Sequence, residues 1–129
     1  MAAAVPPTII DLLRTLGDLA EATFVVRNAD AVAEAASPRR VSAEGGWATL
    51  EGEGCACHIH LRIDQMAEAR FVQEPGQAPG SVAYSVQFFH VAGERPVLSV
   101  YLPADPYYDV LEQFAWQERI TFQPGAPAP

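Results

Sequence analysis

The sequence predicts an α+β fold: a curved antiparallel β-sheet with flanking N- and C-terminal helices. Three observations predict it. Short runs rich in β-branched and aromatic residues succeed one another from residue 22 to residue 102, each closed by a turn signal. No helical pattern interrupts them, as a parallel sheet would require. One helical pattern of apolar residues precedes the runs and another follows them. A length of 129 residues, half of them hydrophobic, suits a single domain over 1–129 with a real core.

The elements follow in order. Residues 1–7, MAAAVPP, are expected to be flexible. Thr8 then caps a helix, with Asp11 at the capping-box position. Ile9, Leu12, Leu13, Leu16 and Leu19 recur at helical spacing and form its apolar face, and Gly17 marks its end. Strands are expected at 23-TFVVRN-28, 31-AVAEAA-36, 46-GWATLEG-52 and 55-CACHIHLRI-63. The Ala-Asp link between the first two reads as a tight turn. Further strands at 68-EARFVQE-74 and 82-VAYSVQFFH-90 flank a Pro/Gly-rich connection, 75-PGQAPG-80. The turn 91-VAGERP-96 leads to a last strand, 97-VLSVYL-102. Asp105 followed by Pro106 reads as a helix start, and Tyr107, Val110, Leu111 and Phe114 continue the stripe. Residues 124–129, PGAPAP, are expected to be a flexible tail.

Charge and composition exclude several functions. The formal net charge is −8, and a nucleic-acid binder needs a basic surface. The same charge disfavours an anionic membrane surface. All eight basic residues are arginines, so lysine Schiff-base chemistry and a P-loop lysine are absent. The first apolar run is broken by Asp11, Arg14 and Asp18 and follows no basic segment, so it does not read as a secretory signal. No run approaches the length of a membrane span. The chain is expected in the cytoplasm.

The stretch CACHIH gathers Cys55, Cys57, His58 and His60. On a strand, successive side chains point to opposite faces. Cys55, Cys57, Ile59, Leu61 and Ile63 then share one face, while His58, His60, Arg62 and Asp64 share the other. One strand therefore cannot bring both pairs to one tetrahedral zinc ion, and the spacing is not that of a zinc loop. Same-face neighbours on a strand lie roughly 6.6 Å apart, near the limit for a disulfide. The cysteines read as small buried hydrophobes. The histidines read either as solvated side chains or as two ligands awaiting a third, for which His90 qualifies by residue type. Asp64, Glu68 and Glu74 read as solvated charges.

Four pieces, in order over residues 17–103, resemble the ChuX/HutX-like intracellular haem-utilisation proteins and, more remotely, each half of the HemS-type haem carriers. They are 17-GDLAEATFVVRNADAVAE-34, 57-CHIH-60, 67-AEARFVQEP-75 and 86-VQFFHVAGERPVLSVYLP-103. The resemblance implies a homodimer that binds haem in a cleft beside the sheet and passes it to a haem-degrading enzyme. It implies His58, at the family's strand histidine, as the axial ligand of haem iron. Neutral imidazole suits that role. His60 stands where the family often has lysine and would neighbour a propionate or replace the ligand. Arg27 stands at the family's second histidine. Arginine does not ligate iron but pairs with a propionate, and Arg62 is expected to do the same. Tyr84 and Phe88 read either as ordinary core or as packing on the porphyrin.

After the last strand, PADPYYD replaces the family's Gly-Arg-Asp, which marks a divergent member. The expected function is that of a haem carrier rather than an enzyme, since no acid/base pair or nucleophile–base arrangement stands out. The alternative is a family member without haem, acting as a dimeric interaction or ligand-binding module.

Overall fold

The computed structural model of the chain describes residues 8–36, 38, 40–52, 58–91 and 93–122. Helix α1 (Ile9–Gly17) begins where the capping pattern predicts. The Thr8 hydroxyl accepts the Asp11 N–H at 3.2 Å, meeting one donor that a first turn leaves without an internal partner. Ile9, Ile10, Leu12, Leu13 and Leu16 are buried, so the apolar stripe is the face turned to the core. The C-terminus of α1 comes unusually close to its neighbours. A Cβ on Gly17 would lie 2.6 Å from the Pro38 carbonyl oxygen, an approach that only glycine permits.

Strands β1 (Thr23–Arg27) and β2 (Val32–Ala36) form the first hairpin. Its turn is held by Asn28, whose Oδ1 accepts the N–H groups of Asp30 at 2.8 Å and Ala31 at 2.9 Å. Strands β3 (Arg40–Glu44), β4 (Trp47–Glu51) and β5 (His58–Arg62) make a three-stranded antiparallel sheet in sequence order. Strands β6 (Met66–Pro75), β7 (Val82–His90) and β8 (Pro96–Leu102) follow, then helix α2 (Ala104–Gln113) and strand β9 (Arg119–Thr121). The larger sheet has six strands in the order β2-β1-β8-β7-β6-β9, and every pairing is antiparallel. The chain therefore leaves the large sheet after β2, builds the small one, and returns to complete the large one.

The core lies between the helices and one face of each sheet. Phe24, Val100, Val86 and Phe71 stand side by side across β1, β8, β7 and β6, and all are buried. Ala48 and Leu50 of β4 and Leu61 of β5 close the core from the small sheet. Phe88 is fully buried here, which resolves its two readings in favour of core. Tyr84 also belongs to this face. Its ring meets Tyr107 of α2 at 5.0 Å and Tyr108 at 5.7 Å, and Phe71 meets Tyr107 at 5.8 Å. This cluster pins α2 to the sheet. Burial raises the Tyr107 hydroxyl above the ordinary tyrosine value, and Gln73 Nε2 donates to the neighbouring Tyr108 hydroxyl at 3.2 Å.

Two strands were not anticipated. Strand β3 carries one large apolar residue, Val41, and the hairpin that makes it a strand comes from Gly45 and Gly46 at φ 59° and 83°. Two successive left-handed residues between paired Glu44 and Trp47 are the two-residue turn that suits strand twist. Strand β9 follows a helix end in which Ala115 and Trp116, both non-glycine, adopt φ 60° and 59°. Helix α2 also starts earlier than Asp105, at Ala104 after Pro103. Asp105 and Pro106 fall in its first turn, where an acid suits the dipole and a missing N–H costs no helical bond.

Cys55 and Cys57, like residues 1–7 and 124–129, lie outside the described residues. Among the described residues no helix is long and apolar enough to cross a membrane.

Candidate functional site

Strand alternation gives the large sheet a second face, turned away from the core. Val25 and Arg27 of β1 occupy it, beside Val97, Ser99 and Tyr101 of β8, Gln87 of β7 and Glu74 of β6. These residues contribute to a groove of about 850 Å³. Its opposite wall is the edge strand β5, through Ile59, His60, Leu61 and Arg62, and the Asn28–Ala29 turn closes one end. His90, Arg95 and Pro96 complete that end.

The groove is polarised. Antiparallel pairing sets Val25 opposite Ser99, so the end of β1 that carries Arg27 lies toward the start of β8, which Arg95 precedes. Phe89 pairs with Pro96, so His90 lies at the same end of the sheet. Glu74, opposite Ala83, sits toward the other end and is the one carboxylate among the described lining residues. Its Oε1 lies 3.5 Å from Gln87 Nε2. Val25, Ile59, Val97 and the Tyr101 ring supply apolar wall between the two ends.

Each expected site residue has a definite place. Arg27 ends β1, exposed, at the cationic end of the groove. His60 is the middle residue of β5 and lines the groove, with the Thr49 hydroxyl 3.1 Å from its Nδ1. Arg62 lines it too, held by Asp64 at 2.9 Å and lying over the Trp47 ring at 6.0 Å. His58 is not among the lining residues. It begins β5, exposed, cross-strand from Glu51, with its ring edge-on to His60 at 4.8 Å. Among the described residues no group of three or more histidine, cysteine or acidic side chains is arranged to hold a metal ion.

Ion pairing separates the arginines. Arg40, Arg62, Arg70 and Arg119 each meet a carboxylate. The tightest set is Glu68, shared by Arg70 and Arg119 at the β9 edge. The hydrogen bond from Arg70 holds its carboxyl below the ordinary range. Among the described residues, Arg14, Arg27 and Arg95 are in no ion pair; Arg14 lies on α1, away from the groove, and Arg27 and Arg95 line it. Arg95 was missed at the sequence level because it reads as an ordinary turn charge in VAGERP. Only the pairing of β1 with β8 brings it toward Arg27.

Solved structures share this architecture. The haem-binding protein ChuX superposes with a TM-score of 0.63 at 16% identity, covering 78% of this chain and 69% of ChuX. A protein from Erwinia carotovora gives 0.67 at 19% identity, covering 83% and 69%. ChuS, an Escherichia coli haem oxygenase, gives 0.70 at 21% identity. That match covers 94% of this chain but 36% of ChuS, so the chain spans about a third of that enzyme. At these identities the likeness is one of fold. No curated protein matches the chain in sequence. The family model for ChuX/HutX haem utilisation matches residues 3–118, nearly the whole chain, and the protein belongs to that family.

Proposed function

We propose that this protein binds haem in the groove between β5 and the second face of the large sheet, and acts as a haem carrier. The observation that carries the reading is the pair Arg27 and Arg95. In a chain of net charge −8, two arginines without carboxylate partners among the described residues converge on one apolar-walled groove. Haem presents two carboxylates on one edge of a flat apolar ring. Arginine forks suit those carboxylates, and the groove's size lies in the range of small-molecule sites, roughly 300–1,000 Å³.

Of the two strand histidines, His60 lines the groove, so this reading gives the iron to His60. A donor proton on Nδ1 toward Thr49 would leave Nε2 available to iron. Arg62 is a further propionate partner. His58 stands beside the ligand, and the assignment of iron to His58 is the competing outcome. The ChuX likeness supports haem as the ligand, and the ChuS likeness supports a haem-degrading enzyme as acceptor. The reading also includes a cytoplasmic homodimer.

The test is a titration of the apoprotein with haem, followed at the Soret band. Saturation near one haem per chain is expected, at least tenfold weaker in Arg27→Gln/Arg95→Gln. His60→Ala should shift the band, and His58→Ala should leave it in place; the reverse pattern returns the iron to His58. Adding reductant to the complex separates carrier from enzyme, since a carrier leaves the porphyrin band intact. Absence of any saturable Soret change refutes haem binding. The family-like interaction module would then lead, supported by β2, an edge strand whose Val32 is half exposed.

A further inference from the structure

We infer that the groove recognises the dicarboxylate tetrapyrrole frame rather than its iron, and therefore also takes metal-free porphyrin and the ring-opened tetrapyrrole that haem breakdown produces. This inference rests on the groove reading above. Its ground is the polarity of the site. The cations Arg27 and Arg95 stand at one end and Glu74 toward the other, with Val97 and Tyr101 between them. A ligand with both carboxylates on one edge and apolar substituents on the other matches that order in one orientation. A reversed ligand would bring its carboxylates toward Glu74 and leave both arginines unmatched.

None of these contacts involves the metal. The ring face, the two carboxylates and the apolar edge are the same in protoporphyrin and in haem. Biliverdin keeps both carboxylates and loses planarity, which an open groove on a sheet face tolerates better than a closed slot. Iron would add a single bond, to an exposed imidazole whose partner is a neutral hydroxyl, Thr49. A firmly fixed metal-ligating histidine more often gives its second nitrogen to a carboxylate or a backbone carbonyl. The iron bond is thus the least preorganised contact in the site.

The experiment titrates the full chain with protoporphyrin IX by fluorescence, and with biliverdin and haem by absorbance, under one buffer. Dissociation constants for protoporphyrin IX and biliverdin within tenfold of that for haem are expected. Arg27→Gln/Arg95→Gln should weaken all three by tenfold or more. His60→Ala should move the haem Soret band and weaken protoporphyrin IX binding by no more than it weakens haem binding. If haem binds and protoporphyrin IX binds more than tenfold more weakly, recognition runs through iron and the inference falls while the groove reading stands. If none of the three binds, the groove reading itself falls. Circular dichroism of each variant shows that a lost affinity is not a lost fold.

Discussion

Gly46 carries two constraints at once. Its φ of 83° lies where an L-residue is strained by about 1–2 kcal/mol, and a Cβ there would come within 2.7 Å of Asp64 Oδ2. Asp64 in turn holds Arg62 at 2.9 Å, so displacing it also loosens a groove residue. Gly45, at φ 59°, has nothing within 4 Å of its added Cβ. Gly46→Ala should therefore destabilise the protein by about 2–3 kcal/mol and Gly45→Ala by about 1 kcal/mol, measured by urea unfolding. Equal losses would show that the contact with Asp64 is immaterial.

Glu68 offers a second test at the same scale. Its carboxyl is lowered in the folded state by Arg70 and Arg119. A depressed folded value means the contribution is fully present above the ordinary glutamate value, about 4.3, and is lost as pH falls through the lowered one. Glu68→Gln should cost roughly 0.5–1 kcal/mol at neutral pH, since both arginines are partly exposed, and nothing in acid below the folded value. Melting curves at both pH values check this; a constant difference would mean the loss is packing and not charge. The alternation of β5 was legible at residue scale, because a period of two needs no tertiary knowledge, and Leu61 is buried while His58, His60 and Arg62 are exposed. Which histidine faces the groove was not, because that depends on what stands opposite β5.

At the scale of elements, helix α1 and the longer strands were readable from local signals: a capping threonine, an apolar stripe, runs of β-branched residues. Strands β3 and β9 were not, for different reasons. Strand β3 is specified by its glycine turn and by its pairing with β4, and its own composition is nearly neutral. Strand β9 is three residues long and exists because the helix end turns back. That turn places Ala115 and Trp116 in the left-handed region without glycine, while the Trp116 N–H bonds the Leu111 carbonyl at 2.8 Å. Ala115 is exposed, so its side chain contributes little packing. Ala115→Gly removes the strain of the left-handed region and loses part of the gain to a freer unfolded chain. A net stabilisation of about 0.5–1 kcal/mol is expected, read as a rise in melting temperature. A fall instead would mean that the unfolded-state effect outweighs the strain.

At the scale of the whole molecule, charge distinguishes residues kept for folding from residues kept for binding. An acidic chain with only eight basic residues has many carboxylates to offer each arginine, and four arginines take one. Among the described residues, Arg14, Arg27 and Arg95 lie apart from those pairs. Arg14 sits in the last turn of α1, where a cation suits the helix dipole. Arg27 and Arg95 instead stand at one end of one groove and add nothing to folding that the described contacts account for. Departures from local consistency of this kind are expected at functional sites. The double substitution Arg27→Gln/Arg95→Gln should then leave thermal stability within roughly 0.5 kcal/mol of the parent, as for surface positions without partners. Arg62→Gln should differ, because it loses both the Asp64 carboxylate and the stacking on Trp47, a cost of about 1 kcal/mol. Ligand affinity should show the opposite order, with the double variant losing more than Arg62→Gln. Melting temperature and haem affinity measured on the same three proteins decide it. If the double variant loses stability and keeps affinity, these arginines belong to the fold, and the groove's anionic ligand must be held elsewhere.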